Sequence, residues 1–150
     1  MEMVEGMRGV GLRKALPEDS ADILEWRNDP LTIENSFNAQ PVSSEDHQQW
    51  FSSALNNADK LLLIGVSGSE KTGVVRFDKL EDGVYEISIN VAPGSRGKGL
   101  GVIMLKQAGA WVKGRVVARI KKGNVPSIKT FEKAGYNLIN DDGQNLELEL

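Results

Sequence analysis

Residues 85–91 alternate apolar and polar side chains, then run through Ala92-Pro93-Gly94-Ser95 into Arg96-Gly97-Lys98-Gly99-Leu100-Gly101 and an apolar helical pattern. Glycines at a strand-to-helix turn let backbone N–H groups approach an anion closely, and the helix N-terminus adds partial positive charge. Such a corner restricts the chain to an α/β architecture in which one strand feeds one helix past a bound anion. The spacing excludes two nucleotide folds. A P-loop needs glycine where Ala92 stands and Ser or Thr where Gly99 stands. A Rossmann corner needs GxGxxG after the first strand of a parallel unit, whereas this spacing is GxGxG and antiparallel strands precede it. Any Cβ at Gly99 or Gly101 is expected to displace the anion.

Periodicity and turn signals around this corner predict strands over 10–15, 61–66, 72–77, 85–91, 116–120, 136–139 and 146–150. They predict helices from Pro17-Glu18-Asp19 to Arg27-Asn28-Asp29-Pro30, over 43–55 from the capping pair Ser43 and Asp46, over 100–112, and from Asn124 to Gly135. Residues 31–42 read as polar and irregular. The expectation is a mixed, mainly antiparallel sheet of about seven strands flanked by about four helices, an α/β (α+β) fold. Residues 1–8 read as a flexible tail and 9–150 as a single domain.

With 150 residues and 40% hydrophobic content, one domain can bury a core without metal or disulfide support. The absence of cysteine excludes disulfides, thiolate nucleophiles and Cys-ligated zinc. His47 is the only histidine and has no partner at ligand spacing, so no metal is expected. A net charge of −3 argues against binding nucleic acid. The start has neither a basic nor an apolar leader region and no apolar run reaches membrane-spanning length, which reads as cytoplasmic with no membrane partner. Positive charge gathers locally at Arg96 and Lys98 and again at Arg115, Arg119, Lys121 and Lys122. That suits either a solvated basic face or a small ligand bearing several phosphates.

Alternation along 85–91 puts Glu86, Ser88 and Asn90 on one face and Tyr85, Ile87, Ile89 and Val91 on the other. A turn centred near Asp82 sets Asp78 across from Glu86 and Arg76 across from Ser88. These charges form either a satisfied ion network or a wet site in which Glu86 takes a proton from an amine. His47 lies on the apolar face of its helix, where it is either a structural or a proton-transfer group. Trp26 and Trp50 read as core residues that can also wall a substrate.

The corner matches the Q/R-x-x-G-x-G/A signature of the GNAT N-acetyltransferases through Arg96, Gly99 and Gly101. Downstream, Asn124-Val125-Pro126-Ser127-Ile128-Lys129-Thr130-Phe131-Glu132-Lys133-Ala134-Gly135-Tyr136 resembles the superfamily's N-x-x-S-x-x-x-Y-E-K-x-G-F segment. The resemblance implies acetyl-CoA as cosubstrate, with its pyrophosphate on Arg96, Gly97, Lys98, Gly99, Leu100 and Gly101. It also implies coenzyme contacts from Ile89, Asn90, Val91, Asn124, Ser127 and Phe131. Phe131 departs from the pattern, standing where many members carry a tyrosine that protonates the leaving thiolate. Ser127, Tyr136 or water takes that role, or no dedicated acid is needed.

Glu25-Trp26-Arg27-Asn28-Asp29-Pro30 and Arg76-Phe77-Asp78 are similar to segments of bacterial nucleotide-linked amino-sugar N-acetyltransferases, the pseudaminic-acid type being nearest. On that resemblance Trp26, Arg27, Asn28, Arg76, Asp78 and Ser88 face the acceptor, with Arg27 and Arg76 pairing a diphosphate. The implied reaction is acetyl transfer to the amine of a nucleotide-linked sugar for surface glycans, by a monomer or homodimer. A peptide or protein α-amine acetyltransferase and a non-catalytic acyl-CoA-binding module are the alternatives.

Overall fold

The computed structural model describes residues 4–5 and 9–150. In chain order its elements are β1 (Val4–Glu5), β2 (Val10–Lys14), α1 (Ser20–Arg27), α2 (Pro30–Asn35), α3 (Ser44–Leu55), β3 (Lys60–Ser67), β4 (Glu70–Glu81), β5 (Val84–Val91), α4 (Leu100–Ala108), β6 (Arg115–Lys121), α5 (Val125–Lys133), β7 (Asn137–Asp141) and β8 (Asn145–Glu149). The strands form one sheet in the order β1-β2-β3-β4-β5-β6-β8-β7. Every neighbouring pair is antiparallel except β5 with β6. All seven expected strands are present. The tail expected over 1–8 lies outside the described residues apart from Val4 and Glu5, whose backbones pair with Leu12 and Gly11.

The strands pack by alternation. One face carries Leu12, Leu63, Val75, Phe77, Ile87 and Ala118 into a core with Ile103, Met104 and Leu105 of α4 and Phe131 of α5. The other carries Leu62, Ile64 and Val74 against Ile23, Trp26, Phe51 and Ala54 of α1 and α3. The run Leu61-Leu62-Leu63-Ile64 reads as continuously apolar because β3 is covered on both faces.

Two expectations need correction. Residues 31–42 are not wholly irregular, since α2 forms where Asp29 caps the helix by accepting from the N–H groups of Leu31 and Thr32. Pro30 follows at the first helical position, where its fixed φ fits and its missing N–H costs nothing. The helix expected over 100–112 stops at Ala108 and tightens into a 3-10 turn over Gly109–Trp111. Helix termini commonly close this way, and glycine has the weakest hold on the α conformation.

The feature that positions the site is the parallel junction. β5 and β6 pair only through Val84 with Arg115, Tyr85 with Val116 and Glu86 with Val117. Beyond Glu86 the strands part, so the facing edges of both run on without partners and the sheet forks.

A separate ion cluster fastens the entry to α1. Asp19 is 1% exposed and accepts from Arg13 at 2.7 and 2.9 Å and from the Leu16 N–H at 2.7 Å, with Lys71 Nζ 2.7 Å away. Burial alone would raise its pKa, but the Arg13 and Lys71 hydrogen bonds outweigh burial and hold the carboxyl well below the usual range.

Candidate active site

The corner after β5 begins as a 3-10 turn, Pro93–Ser95, and then places Gly97 at φ +75° and Gly99 at φ +74°. Both angles lie in the left-handed region, where a Cβ is strained. Gly99 is the N-cap of α4 and supplies no side-chain cap, so the first-turn N–H groups remain available to an anion. Gly101 also matters for packing. A Cβ there would stand 3.1 Å from Thr130 Cγ2 and 3.3 Å from Val91 Cγ2, so Gly101 lets α4 close against α5 and β5.

Arg96 is turned toward α2. Its Nη2 donates to Asp29 Oδ2 at 2.8 Å and to Thr32 Oγ1 at 3.0 Å, while Thr32 Oγ1 donates to Asn90 Oδ1 at 3.3 Å. Asn124 caps α5, its Oδ1 accepting from the Ser127 N–H at 3.4 Å. Phe131 is 2% exposed and meets Tyr136 edge to face in the core.

On the polar face of β5 the expected register holds, with Asp78 opposite Glu86 and Arg76 opposite Ser88. Asp78 is committed to Arg76 at 2.8 Å and to Lys60 at 2.9 Å. The Arg76 guanidinium also lies 5.5 Å from the Trp50 ring centroid, a cation–π distance. Glu86 is half-buried, and its carboxylate makes no hydrogen bond or ion pair among the described residues. It is also the last β5 residue paired with β6, so an uncompensated carboxylate stands at the point of the fork.

Other candidates are placed elsewhere. His47 is 3% exposed, with Nε2 3.0 Å from both Ser20 Oγ and the Ser20 carbonyl, and it stacks on Phe51. Burial lowers its pKa and keeps the ring neutral. It ties α3 to α1, and its polar contacts end at Ser20 and not at the β5 face. Trp26 belongs to the core under the same helices. Asn28 grips the Val42 backbone, donating to its carbonyl and accepting from its N–H, both at 2.8 Å. Arg27 Nη2 donates to Asn38 Oδ1 at 3.3 Å and to the Gln40 carbonyl at 3.1 Å, and its buried Nη1 has no partner among the described residues. The segment Trp26-Arg27-Asn28 therefore fastens the return from α2 to α3.

That return, with α2, walls a cleft of about 530 Å³ whose lining includes Glu34, Phe37, Lys121, Lys122 and Asn124. A smaller cleft of about 220 Å³ adjoins it at Asn145 and includes Arg119 and Glu147. The Arg119 guanidinium lies 5.0 Å from the ring centroid of Phe37, which is 51% exposed. Three of the four clustered cations of the sequence thus meet here, while Arg115 turns away to Glu149 at 2.9 Å. Phe37 was missed because a lone aromatic in a polar stretch has no period to mark it. Among the described residues no cluster of His, Cys, Asp or Glu suits a metal ion, and no helix is long and apolar enough to cross a membrane.

Residues 10–137 match the Acetyltransferase (GNAT) domain family. The chain belongs to the GNAT acetyltransferase family. An uncharacterized protein of Methanocaldococcus jannaschii is 27% identical to this chain over 132 residues, covering 83% of this chain and 27% of that relative. The domain thus spans about a quarter of the relative's length. A spermidine N-acetyltransferase of Vibrio cholerae, solved with CoA and spermine, superposes with TM-score 0.82 at 14% identity over 95% of each chain. The N-acetyltransferase PseH of Campylobacter jejuni gives TM-score 0.72 at 13% identity over 95% of this chain and 97% of its own. At such identities the likeness is one of fold. The narrower resemblance to one amino-sugar subgroup is therefore replaced by membership of the family as a whole, with PseH one relative among diverse ones.

Proposed function

We propose that this GNAT domain moves an acetyl group from acetyl-CoA to the primary amine of a nucleotide-linked amino sugar, with Glu86 as the base. The observation that carries the reading is the Glu86 carboxylate at the fork, without a partner among the described residues, together with clefts further along the β6 arm that bring Arg119, Lys121 and Lys122 to an exposed aromatic ring. The volume of the larger cleft suits a small-molecule ligand. Phe37 offers a surface for a planar base, and Arg119 and Lys121 offer charge for a diphosphate, a role for which Arg76 and Lys122 are less suited because Asp78 and Asp141 already neutralise them.

The residues fit the coenzyme. The uncapped corner at Gly97 and Gly99 suits a pyrophosphate, and the free edge of β5 from Ile87 to Val91 suits an extended arm carrying amides. When bound, acetyl-CoA supplies the thioester. Only a neutral amine attacks it, so Glu86 accepts the proton of the acceptor ammonium at the fork. A thiol leaving group has an ordinary pKa of about 8.5. It departs without a dedicated acid, consistent with Phe131 having no proton to give.

The test is turnover by Glu86→Gln. The substitution keeps shape and loses proton affinity, so turnover should fall about 10²-fold, at the lower end of general-base effects, with coenzyme affinity unchanged. The loss should shrink as pH rises, because more acceptor is then already neutral. Full activity in the variant would remove Glu86 from the mechanism. A rate panel with nucleotide-linked amino sugars, α-amino peptides and polyamines assigns the acceptor, and preference for either of the latter would reject the sugar.

A further inference from the structure

α2 stands across the mouth of the fork, yet none of its residues is buried. Fully burying a Leu or Ile side chain stabilises an element strongly, and a six-residue helix receives little from its own hydrogen bonds. Its position is therefore set by polar ties at its two ends. On the β5 side Arg96 holds Asp29 and Thr32, and Thr32 holds Asn90, at 2.8 to 3.3 Å. On the β6 side Lys121 Nζ donates to the Glu34 carbonyl at 3.2 Å, and Arg119 lies against Phe37.

From this arrangement we propose that Asp29 and Arg96 are a positioning pair through which coenzyme binding sets α2 and so raises affinity for the acceptor. The proposal rests on the reading that the 96–101 corner receives the coenzyme pyrophosphate. A guanidinium carries five N–H donors, and only those on Nη2 are engaged by Asp29 and Thr32. An anion at the corner engages Arg96 without displacing α2. Freezing an arginine side chain has an entropic cost, and two partners that share one arginine meet that cost once. Each therefore favours the other, and α2 receives the benefit. Because α2 also reaches Lys121, and Phe37 just beyond it lies on Arg119, its ordering extends to the acceptor cleft.

Hydrogen exchange of the α2 amides with and without saturating coenzyme A, beside calorimetric coenzyme affinity, tests this on the full chain. Coenzyme A should slow exchange over residues 31–35 by about tenfold in the unaltered protein, a coupling of ordinary size. Asp29→Asn keeps an oxygen to cap α2 but loses the charge that Arg96 pairs. It should reduce the protection to about twofold or less while coenzyme affinity stays within about fivefold. Thr32→Val leaves the cap untouched, should also reduce the protection, and serves if the first variant is unstable. With an acceptor in hand, Asp29→Asn should raise its KM and leave kcat nearly unchanged. Protection that is absent in the unaltered protein, or equal in all three proteins, overturns the proposal. Failure of coenzyme A to bind at all is read by calorimetry alone, and it removes the coenzyme assignment together with this one.

Discussion

Phe131 and Tyr136 meet edge to face, ring centroids 5.0 Å apart and planes at 88°, and the pair's one hydroxyl is on Tyr136, buried without a hydrogen-bond partner among the described residues. Burial pushes the Tyr136 pKa up to about 12. Leaving a buried hydroxyl unpaired costs about 1–3 kcal/mol, and phenylalanine keeps the ring contact without that cost. Tyr136→Phe should therefore raise stability by about 1 kcal/mol, the low end of that range, in urea unfolding. It should also leave the alkaline limb of the rate profile in place. Destabilisation would mean that the hydroxyl has a partner, and a lost alkaline limb would make Tyr136 the acid.

Gly99 and Gly101 should respond differently to a methyl group. Gly99→Ala forces a Cβ into the left-handed region, at a cost of about 1–2 kcal/mol, and disturbs the corner itself. Coenzyme affinity should fall by about tenfold, the equivalent of that strain. Gly101→Ala presses on Thr130 and Val91 and should lower the melting temperature as well. Gly94→Ala, with open space around the added atom, serves as the control and should do neither. Equal coenzyme affinity in the Gly99 and Gly94 variants would disconnect the corner from the coenzyme.

Asp19 governs stability in acid. Its folded pKa is lowered, so its contribution is complete above the unfolded value of about 3.9 and is lost as pH falls below that toward the folded one. Asp19→Asn leaves Arg13 and Lys71 facing a neutral group and should cost about 3 kcal/mol at pH 7, the low end for breaking a buried pair. The difference between the two proteins should narrow below about pH 4, as the carboxyl of the unfolded chain takes up a proton that the folded carboxyl does not yet bind. A pH-independent difference in chemical denaturation would refute this account.

The face assignments in β5 were legible because strand alternation is a local property with a period of two, and the register with β4 followed once the turn near Asp82 was recognised. The glycine corner was legible because each glycine carries its own conformational signature. α2 was hidden by its polar residues, although Asp29 followed by Pro30 is an N-cap and first-position signal. The burial of His47 followed from its helix face, but Ser20, its partner 27 positions away, left no local trace. Arg27 and Asn28 show a harder limit. A polar side chain that grips its own loop and one that grips a ligand read alike in sequence, and only the proximity of Asn38, Gln40 and Val42 separates them.

The lack of buried side chains in α2 also bears on how this chain tolerates change over generations. Substitutions at exposed positions away from specific contacts usually alter stability by no more than about 0.5 kcal/mol, whereas truncating a core residue such as Leu63 costs about 2–5 kcal/mol. Drift at Leu31 and Glu34 therefore meets almost no penalty from the fold. Asp29 and Thr32, by contrast, are held by their tie to Arg96. Acceptor preference can diversify on one surface segment while the sheet and the coenzyme corner stay fixed, which makes the exposed positions Leu31 and Glu34 the natural place to begin a randomised library.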